Sequence, residues 1–374
     1  MIITKFKQDM TDKKIRVAIT HGDTNGIGYE IIFKTFAEQE MLELCTPIIY
    51  GSPKIAAYHR NALGIQANFS IINHAEDAQD GRINLLAALD DDVKVDLGKP
   101  SKEAGAASLK ALDRAMTDYG KGLYDVLVTA PINKNNIQGE GFHFAGHTEY
   151  IENRVGGGAK ALMILANDKM RVALVTTHLP VKDLSEAITK EKIVEKATIL
   201  DTTLKRDFNV ACPRVAILAL NPHSGDGGVI GNEEEQIIIP AIKELSANGM
   251  TVYGPFAADG FFGHGTYSSF DGILAMYHDQ GLAPFKALDD GTGVNFTAGL
   301  PIIRTSPDHG TAYEIAGKGE ADETSFRNAI YMAVDICRNR MTYDEPLADP
   351  LPKLYHEKRE DGEKVRFSIP KKKE

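Results

Sequence analysis

The sequence has no tryptophan and three isolated cysteines, with no CxxC pair. An odd number of scattered cysteines excludes a disulfide framework and gives no support for a thiolate zinc site. No apolar run approaches the roughly 20 residues of a membrane-spanning helix. The N-terminal segment carries charges where a signal peptide needs its apolar centre. We therefore expect a cytoplasmic protein that does not enter the membrane.

The sequence also lacks a net positive charge and the common dinucleotide-binding fingerprint. The net charge of -10 argues against nucleic acid as the main partner, because phosphate neutralisation needs a basic surface. Gly22, Gly26 and Gly28 follow the first apolar run, but their spacing is not that of GxGxxG. If the protein binds a nicotinamide cofactor, it does so without the usual Rossmann loop.

The 374 residues are enough for two domains. Short apolar runs typical of buried strands alternate with amphipathic segments typical of helices. This alternation predicts an α/β protein with a largely parallel sheet in each of two lobes. The clearest predicted strands are 15–20, 124–129, 171–176 and 214–220, and the clearest predicted helices are 101–119, 190–206 and 233–247.

Three histidines each follow an apolar run and begin a turn: His178, His223 and His278. Because the ends of parallel strands meet at one edge of a sheet, these imidazoles could meet a single ion. Three histidine ligands suit zinc or a similar divalent ion and leave a position open for water or substrate. One such histidine alone would be read as structural, and the shared position of all three favours a metal site.

A second group of residues suits a small anion. Lys286 and Arg304 offer charge-assisted hydrogen bonds, and Thr148 and Asn295 offer neutral ones, with His147 beside them. We expect Lys286 in the loop that follows the strand end at His278. The simpler interpretation is solvated cations and a plain helix start at His147. The glycine-rich segment 293–301 favours the anion site, since glycine lets a backbone approach a ligand closely.

A third group lies in the loop after Arg304, with Asp308, Gly310 and Thr311. The pattern predicts a loop that turns into a helix near Thr311, and glycine loops and helix N-termini bind phosphates through free amides. A dinucleotide could therefore bind here, although a capped helix without a ligand fits the same pattern.

Taken together, these motifs resemble the 4-hydroxythreonine-4-phosphate dehydrogenase family of vitamin B6 biosynthesis. The resemblance runs from about Ile15 to Arg338 and rests on the order and spacing of six segments. They are Gly146-His-Thr-Glu149, Thr177-His-Leu-Pro180, Asn221-Pro-His-Ser-Gly-Asp-Gly-Gly228, Tyr277-His-Asp-Gln-Gly281, Gly293-Val-Asn295 and Arg304-Thr-Ser-Pro-Asp-His-Gly-Thr311.

The resemblance implies a two-lobed fold like that of isocitrate and isopropylmalate dehydrogenases, with a cleft between the lobes. Residues 1–135 and 305–350 would form the dinucleotide-binding lobe, 136–304 the metal and dimer lobe, and 351–374 a charged tail. It also implies a homodimer with a shared active site, in which one metal ligand comes from the partner subunit. The implied ligands of a zinc, magnesium or cobalt ion are His178, His223 and His278.

The implied reaction is the NAD- or NADP-dependent oxidation of 4-phosphooxy-L-threonine, followed by decarboxylation to 3-amino-2-oxopropyl phosphate. His147, Thr148, Lys286, Asn295 and Arg304 would bind the substrate, and Asp308, Gly310 and Thr311 would bind the cofactor. Asp259 and Asp279 are candidates for proton transfer or ligand orientation, or are simple turn residues.

Three alternatives stay open. The first glycine loop, residues 21–28, departs from the family pattern, and segment 90–102 is longer, so the substrate could be 4-phospho-D-threonate or 4-phospho-D-erythronate. A three-histidine metal beside a phosphate pocket also suits a metal-dependent phosphohydrolase or aldolase. A binding protein that has lost turnover is the remaining alternative.

Overall fold

The computed structural model describes residues 14–89, 93–138, 143–144 and 146–350, and the predicted tail 351–374 lies outside the described residues. The strands are β1 (Ile15–Thr20), β2 (Cys45–Gly51), β3 (Phe69–Ile72), β4 (Ile83–Ala87), β5 (Val126–Thr129), β6 (Leu162–Ala166), β7 (Arg171–Leu174), β8 (Arg214–Leu218), β9 (Thr251–Phe256), β10 (Gly272–Ala275), β11 (Val294–Ala298) and β12 (Arg304–Pro307). The α-helices are α1 (Gly28–Thr35), α2 (Gln39–Leu44), α3 (Pro53–Leu63), α4 (Lys102–Tyr119), α5 (His147–Val155), α6 (Leu184–Ala187), α7 (Lys190–Arg206), α8 (Ile239–Ala247), α9 (Ala258–Gly263), α10 (His278–Leu288) and α11 (Thr324–Ala348).

Local sequence explains where these elements begin. Ser101 caps α4 by accepting a hydrogen bond from the Ala104 amide at 3.1 Å, and Thr189 caps α7 in the same way. These two helices confirm the predictions over 101–119 and 190–206. The predicted helix 233–247 instead starts with a π-helical turn, Glu234–Ile238, before α8.

The strands form one continuous sheet of twelve in the order β3-β4-β2-β1-β5-β12-β11-β6-β7-β10-β8-β9. The strands from β3 to β12 pair in parallel, as do those from β7 to β9. Between these halves, β11 and β6 contribute three antiparallel pairings, so the two halves run in opposite directions. The largely parallel α/β architecture is confirmed, although one sheet passes through both halves. The predicted lobe boundaries remain a prediction.

The order β7-β10-β8 places three adjacent, parallel strands directly before His178, His278 and His223. Each of these strands is almost wholly buried, which fixes where its chain leaves the core. The sheet therefore delivers the three histidine segments to one edge, as the strand-end pattern predicts. In the described part of the chain, no helix combines the length and the apolarity needed to cross a membrane.

Two local predictions are wrong. The chain after Thr311 forms successive turns, and the next helix, α11, begins only at Thr324, because glycines at 317 and 319 take positive φ and interrupt any helix. Lys286, predicted in a loop after His278, lies within α10 together with His278. Pro284 lies inside this helix and removes one of its backbone hydrogen bonds, but Leu282 and Phe285 on either side are buried in the core and hold α10 in place.

Candidate active site

A cleft with a volume of about 290 Å³ collects most of the predicted site residues. Its lining includes His147, Thr148, His178, Lys286, Asn295, Arg304, Asp308 and Gly310. Among the described residues, the predicted site residues that do not line it are His223, Asp259, His278, Asp279 and Thr311. The structure thus brings all five predicted substrate contacts together, although they come from distant parts of the sequence.

Arg304, the first residue of β12, is only 3% exposed. Its guanidinium donates to Thr129 Oγ1 at 2.6 and 3.1 Å, to Thr297 Oγ1 at 3.2 Å and to His147 Nδ1 at 3.1 Å. Burial lowers the pKa of Arg304 to about 10. A buried cation whose hydrogen-bond partners among the described residues are all neutral creates a strong demand for an anion. We call Arg304 and its three partners the arginine end of the cleft.

His147 begins α5, so the first turn of this helix lines the cleft. Burial, followed by the charges of Arg304 and Lys134, holds the pKa of His147 well below its usual value, so the ring is neutral. Since Arg304 can only donate, Nδ1 accepts and the proton lies on Nε2. Thr148 Oγ1 lies 3.4 Å from Thr297 Oγ1. The helix N-terminus adds free amide donors, which favour an anion.

Lys286 and Asn295 complete the anion-binding lining. Lys286 Nζ lies 3.1 Å from both the carboxylate and the backbone oxygen of Asp308. Burial raises the pKa of Asp308 above its ordinary value, against the charge of Lys286. Asn295 Oδ1 is buried and has no hydrogen-bond partner among the described residues. Since buried polar atoms are nearly always paired, this oxygen indicates a donor supplied by a ligand.

His178 and His278 form the opposite end of the site. Their ring centroids lie 6.3 Å apart. Glu149 Oε1 lies 3.5 Å from His178 Nδ1, and Asp279 Oδ1 lies 2.7 Å from His278 Nδ1. The hydrogen bond from His178 lowers the pKa of Glu149 and keeps it ionised. Both rings therefore have a carboxylate at Nδ1 and leave Nε2 for another partner. We call these two rings and their carboxylates the imidazole end.

This donor arrangement fits a divalent ion. Metal-bound imidazoles usually donate their other N–H to a carboxylate or carbonyl oxygen. Zinc–nitrogen bonds of about 2.0–2.1 Å at a tetrahedral angle place the centroids of two ligand rings about 5 Å apart, so the two rings would have to approach each other by about 1 Å to hold a tetrahedral ion. The ammonium of Lys134 lies 3.1 Å from His178 Nε2, so the lone pair of this nitrogen already faces a cation.

The third predicted ligand is not part of this pair. Among the described residues, no three His, Cys, Asp or Glu side chains lie close enough together to hold an ion. His223 follows β8 and lies in a loop whose backbone takes the left-handed conformation, with φ of 52° at His223 itself. The three-histidine site therefore stays a prediction, to which one chain contributes a preformed pair.

The predicted cofactor loop borders the same cleft through Asp308 and Gly310. His309 Nε2 is buried without a partner among the described residues, which leaves a polar atom for a ligand. Thr311 faces the first glycine loop, where its carbonyl oxygen accepts from the Ile27 amide at 3.1 Å. Because turns rather than a helix follow Thr311, any dinucleotide here would bind to loop amides and side chains, without a helix N-terminus.

The two candidate catalytic aspartates differ in their surroundings. Asp259 is exposed on α9 and does not line the cleft. Asp279 is also exposed but is paired with His278, so it can orient that ring. The assignment of either aspartate to proton transfer remains a prediction.

Sequence reasoning missed four residues: Thr129 and Thr297, which hold Arg304, Lys134, which faces His178, and Glu149 as the partner of His178. Lys134 had a usable signal, because it follows buried β5 just as the histidines follow their strands. Threonines inside strands have no such signal, since they are common there for other reasons.

Fold and cleft together define a class of protein: an α/β protein with a cationic cleft for a small anion and a carboxylate-backed imidazole pair beside it. The chain belongs to the family described as Pyridoxal phosphate biosynthetic protein PdxA, which matches residues 43–333. It is 60% identical over 358 residues to the 4-hydroxythreonine-4-phosphate dehydrogenase of Bacteroides thetaiotaomicron, covering 96% of this chain and 98% of the relative.

Two further relatives agree. The chain is 42% identical to the 4-hydroxythreonine-4-phosphate dehydrogenase of a Sulfurihydrogenibium species, covering 87% of this chain and 99% of that protein. The crystal structure of the Klebsiella pneumoniae 4-hydroxythreonine-4-phosphate dehydrogenase superposes with a TM-score of 0.75 at 32% identity, covering 87% of this chain and 98% of that one. The family resemblance drawn from the motifs is thus confirmed.

Proposed function

We propose that this chain is a 4-hydroxythreonine-4-phosphate dehydrogenase. It oxidises 4-phosphooxy-L-threonine with NAD or NADP to 2-amino-3-oxo-4-phosphooxybutyrate, which decarboxylates to 3-amino-2-oxopropyl phosphate in pyridoxal 5'-phosphate biosynthesis. The observation that carries the proposal is the cleft itself, which contains both a buried arginine whose hydrogen-bond partners among the described residues are all neutral and His178 of the imidazole pair.

The arginine end would bind the substrate's phosphate. Arg304 keeps its charge in a buried position, and Lys286 adds a second cation on the same cleft. Neutral His147 donates through Nε2–H, and Thr148 and Asn295 supply neutral hydrogen bonds. Charge-assisted bonds to phosphate are stronger than neutral ones, so the two cations provide affinity and the neutral groups provide orientation.

The imidazole end would hold a divalent ion of zinc, magnesium or cobalt through His178, His223 and His278. When bound, such an ion supplies Lewis-acid chemistry at the substrate's C3 oxygen. The chain's own carboxylates, Glu149 and Asp279, fix the tautomers of their rings by accepting from Nδ1–H. Lys134 Nζ lies beside His178 Nε2 in the cleft and would bind the substrate's carboxylate.

The cofactor would bind along Asp308, Gly310 and Thr311. Asp308 pairs with Lys286, so the cofactor loop and the phosphate site share one contact. This contact would bring the nicotinamide close to a substrate held by Lys286. Holding the nicotinamide and the substrate close together and correctly oriented lowers the activation free energy of the reaction.

A homodimer is part of the proposal. The loops after β7 and β8 expose large apolar side chains, with Val181 79% and Val229 81% exposed beside Leu179 and Ile230. Exposed apolar patches of this kind mark protein interfaces. A second copy that covers them would reach the imidazole end and share the active site.

Complementation tests the shared site. His178 and His278 lie together in one chain, so mixed dimers of His178→Ala and His278→Ala should stay inactive. If the partner supplies His223, mixing His223→Ala with His278→Ala should restore activity in dimers isolated by two different affinity tags. Activity in neither mixture, or an active monomer, would contradict sharing of His223 across the interface.

Substrate identity is tested with 4-phosphooxy-L-threonine, 4-phospho-D-threonate and 4-phospho-D-erythronate, each with NAD and with NADP. The expected result is reduced nicotinamide, followed at its own absorbance, only with the amino acid, and loss of the signal with a chelator. Faster turnover of either hydroxy acid would reassign the substrate. Release of inorganic phosphate or carbon–carbon cleavage without nicotinamide reduction would indicate a phosphohydrolase or an aldolase.

A further inference from the structure

The loop that carries His223 has an unusual backbone. Six successive residues, 223–228, take positive φ, and three of them are not glycine: His223 at 52°, Ser224 at 52° and Asp226 at 45°. Such conformations are costly for residues with a Cβ, and they persist only where surrounding contacts enforce them. The question is therefore which contacts hold this loop.

Glu234 provides the main contacts. It is only 1% exposed, yet among the described residues it has no ion pair. Its Oε1 accepts from the amides of Leu220 and Asn221, both at 2.8 Å, and its Oε2 accepts from Asn221 Nδ2 at 3.0 Å. A Cβ at Gly225 would lie 2.6 Å from the same carboxylate, so the loop is wrapped closely around it. Glu234 thus fixes the point where the chain leaves β8 and enters the His223 loop.

Glu233 extends the contact to the neighbouring histidine segment. Its carboxylate accepts from Asn221 Nδ2 at 2.7 Å and from Ser185 Oγ at 2.8 Å. Ser185 belongs to α6, in the segment that follows His178. Asn221 and Glu233 therefore connect the segment after β7 with the loop after β8.

Gln280 connects the third histidine segment. It lies in α10, two residues after His278, and its Oε1 accepts from the Met276 amide at 2.7 Å. Its Nε2 donates to the carbonyl oxygen of Ala219 at 2.5 Å, immediately before the residues that Glu234 holds. One chain of hydrogen bonds thus runs from Ser185 to Gln280 and touches all three segments.

We propose that Asn221, Glu233, Glu234 and Gln280 are positioning residues that fix where the segments carrying His178, His223 and His278 leave the sheet, so that each histidine is held in place for a divalent ion. The inference rests on the proposed metal site. None of the four lines the cleft, so they act through the histidines. Residues that orient metal ligands typically change metal affinity by about 10–100-fold when they are removed.

The test compares Glu234→Ala with Glu234→Gln and with Glu235→Ala. The glutamine oxygen can still accept from the two amides that Glu234 holds, whereas alanine cannot. Glu235 is an exposed glutamate in the same turn and serves as the matched control. Gln280→Met, which keeps side-chain length and loses both hydrogen bonds, tests the network from its other end and is available should Glu234→Ala not fold.

Zinc binding to the full-length protein is measured by calorimetry, and inorganic phosphate binding is measured beside it. We expect Glu234→Ala and Gln280→Met to weaken zinc binding about 10–100-fold, Glu234→Gln to recover most of it, and Glu235→Ala to match the wild type. Phosphate binding should be unchanged throughout, because the arginine end is untouched. Wild-type zinc affinity in folded Glu234→Ala and Gln280→Met would overturn the inference.

Failure of the metal proposal itself has a different signature, because the wild type would then bind no zinc. In that case, amide hydrogen exchange tests whether the hydrogen-bond network holds the His223 loop. The Leu220 and Asn221 amides should exchange faster in Glu234→Ala and remain protected in Glu234→Gln and Glu235→Ala. Equal protection in all of these variants would overturn the positioning role independently of any metal.

Discussion

The arginine end and the imidazole end of the cleft are built differently. Arg304 is almost wholly buried and is held by Thr129, Thr297 and His147, all within one chain. At the other end, the side chains of His178 and His278 are 38% and 42% exposed, and the third histidine lies elsewhere. One end is thus complete before any ligand arrives, whereas the other presents ligands that an ion must gather.

This difference separates two tasks. A preformed buried cation gives affinity without reorganisation, because its partners are already oriented. An open imidazole pair can exchange an ion and can accept a residue from a second subunit. Damage at the arginine end should therefore appear mainly in KM, and damage at the imidazole end mainly in kcat.

The largest expected effect is at the imidazole end. We expect His278→Ala and His223→Ala to reduce kcat by at least about a thousandfold, since a Lewis acid stabilises the reacting oxygen by several kcal/mol. Both side chains are outside the buried core, so thermal unfolding should be nearly unchanged. Metal content, circular dichroism and steady-state rates are measured together. Full metal content with a normal rate would refute these ligand assignments.

The next prediction tests whether the arginine end acts mainly on KM rather than on kcat. Arg304→Met removes charge-assisted contacts worth about 1.5–3 kcal/mol, which predicts a KM about 10- to 150-fold higher for the phosphorylated substrate. Lys286→Met should act in the same direction and more weakly, because Lys286 is half exposed.

Unphosphorylated 4-hydroxythreonine, assayed at high concentration with both variants, is the control. Its kcat/KM should hardly change, since it lacks the group that these cations bind. Equal losses with and without the phosphate would assign Arg304 and Lys286 to another role.

A third effect concerns acid sensitivity at the arginine end. The pKa of His147 is held well below 6.5 in the folded chain, so the unfolded chain takes up this proton first as pH falls. The contribution of neutral His147 to the free energy of unfolding is fully present above about pH 6.5. Below that pH it declines, by up to about 1.4 kcal/mol per pH unit. We expect His147→Gln to flatten the decline between pH 6.5 and 5 in urea unfolding.

His264→Gln is the matched control, because this histidine is exposed and lies away from the cleft. It should keep the wild-type pH profile of unfolding free energy. A profile of His147→Gln that parallels the wild type would mean that His147 is not kept neutral by its buried position beside Arg304.

The smallest effect is expected for Asp279→Asn. The pair of Asp279 with His278 is solvent-exposed, and exposed pairs contribute about 0.2–1 kcal/mol. The amide oxygen introduced by this substitution can still accept from His278 Nδ1–H and orient the ring, so we predict less than a tenfold loss of kcat and of zinc affinity. A loss as large as that of His278→Ala would instead make Asp279 a group that takes part in the chemistry, and the contrast between ring and orienting carboxylate would disappear.

Sequence patterns predicted the largely parallel α/β fold and the five residues that meet in the cleft, because both leave local signals in the sequence. Buried apolar runs predicted the strands, and their ends predicted where polar side chains emerge. The sequence could not predict that Thr129 holds Arg304, since this contact joins β5 to β12 across 175 residues. It also could not predict the path of the His223 loop, which combines left-handed glycines with contacts to the buried carboxylate of Glu234.

The wrong local predictions have a common cause. The helix expected near Thr311 and the loop expected at Lys286 were both inferred from local sequence alone. Thr311 is engaged by the Ile27 amide and followed by turns, whereas the residues from His278 onward continue as a helix past Pro284. Tertiary contacts, which for α10 are the buried side chains of Leu282 and Phe285, overrode the local preference in each case.

Helix α10 begins with His278, which belongs to the imidazole pair, and carries Lys286, which lines the cleft, eight residues later. At 1.5 Å per residue, the helix separates them by about 12 Å along its axis. Helix α10 therefore keeps a fixed distance between His278 and Lys286. In the proposed site, this distance would select ligands by the spacing between their phosphorus and their reacting oxygen. A ligand one carbon shorter or longer would reach Lys286 or the imidazole pair, but not both.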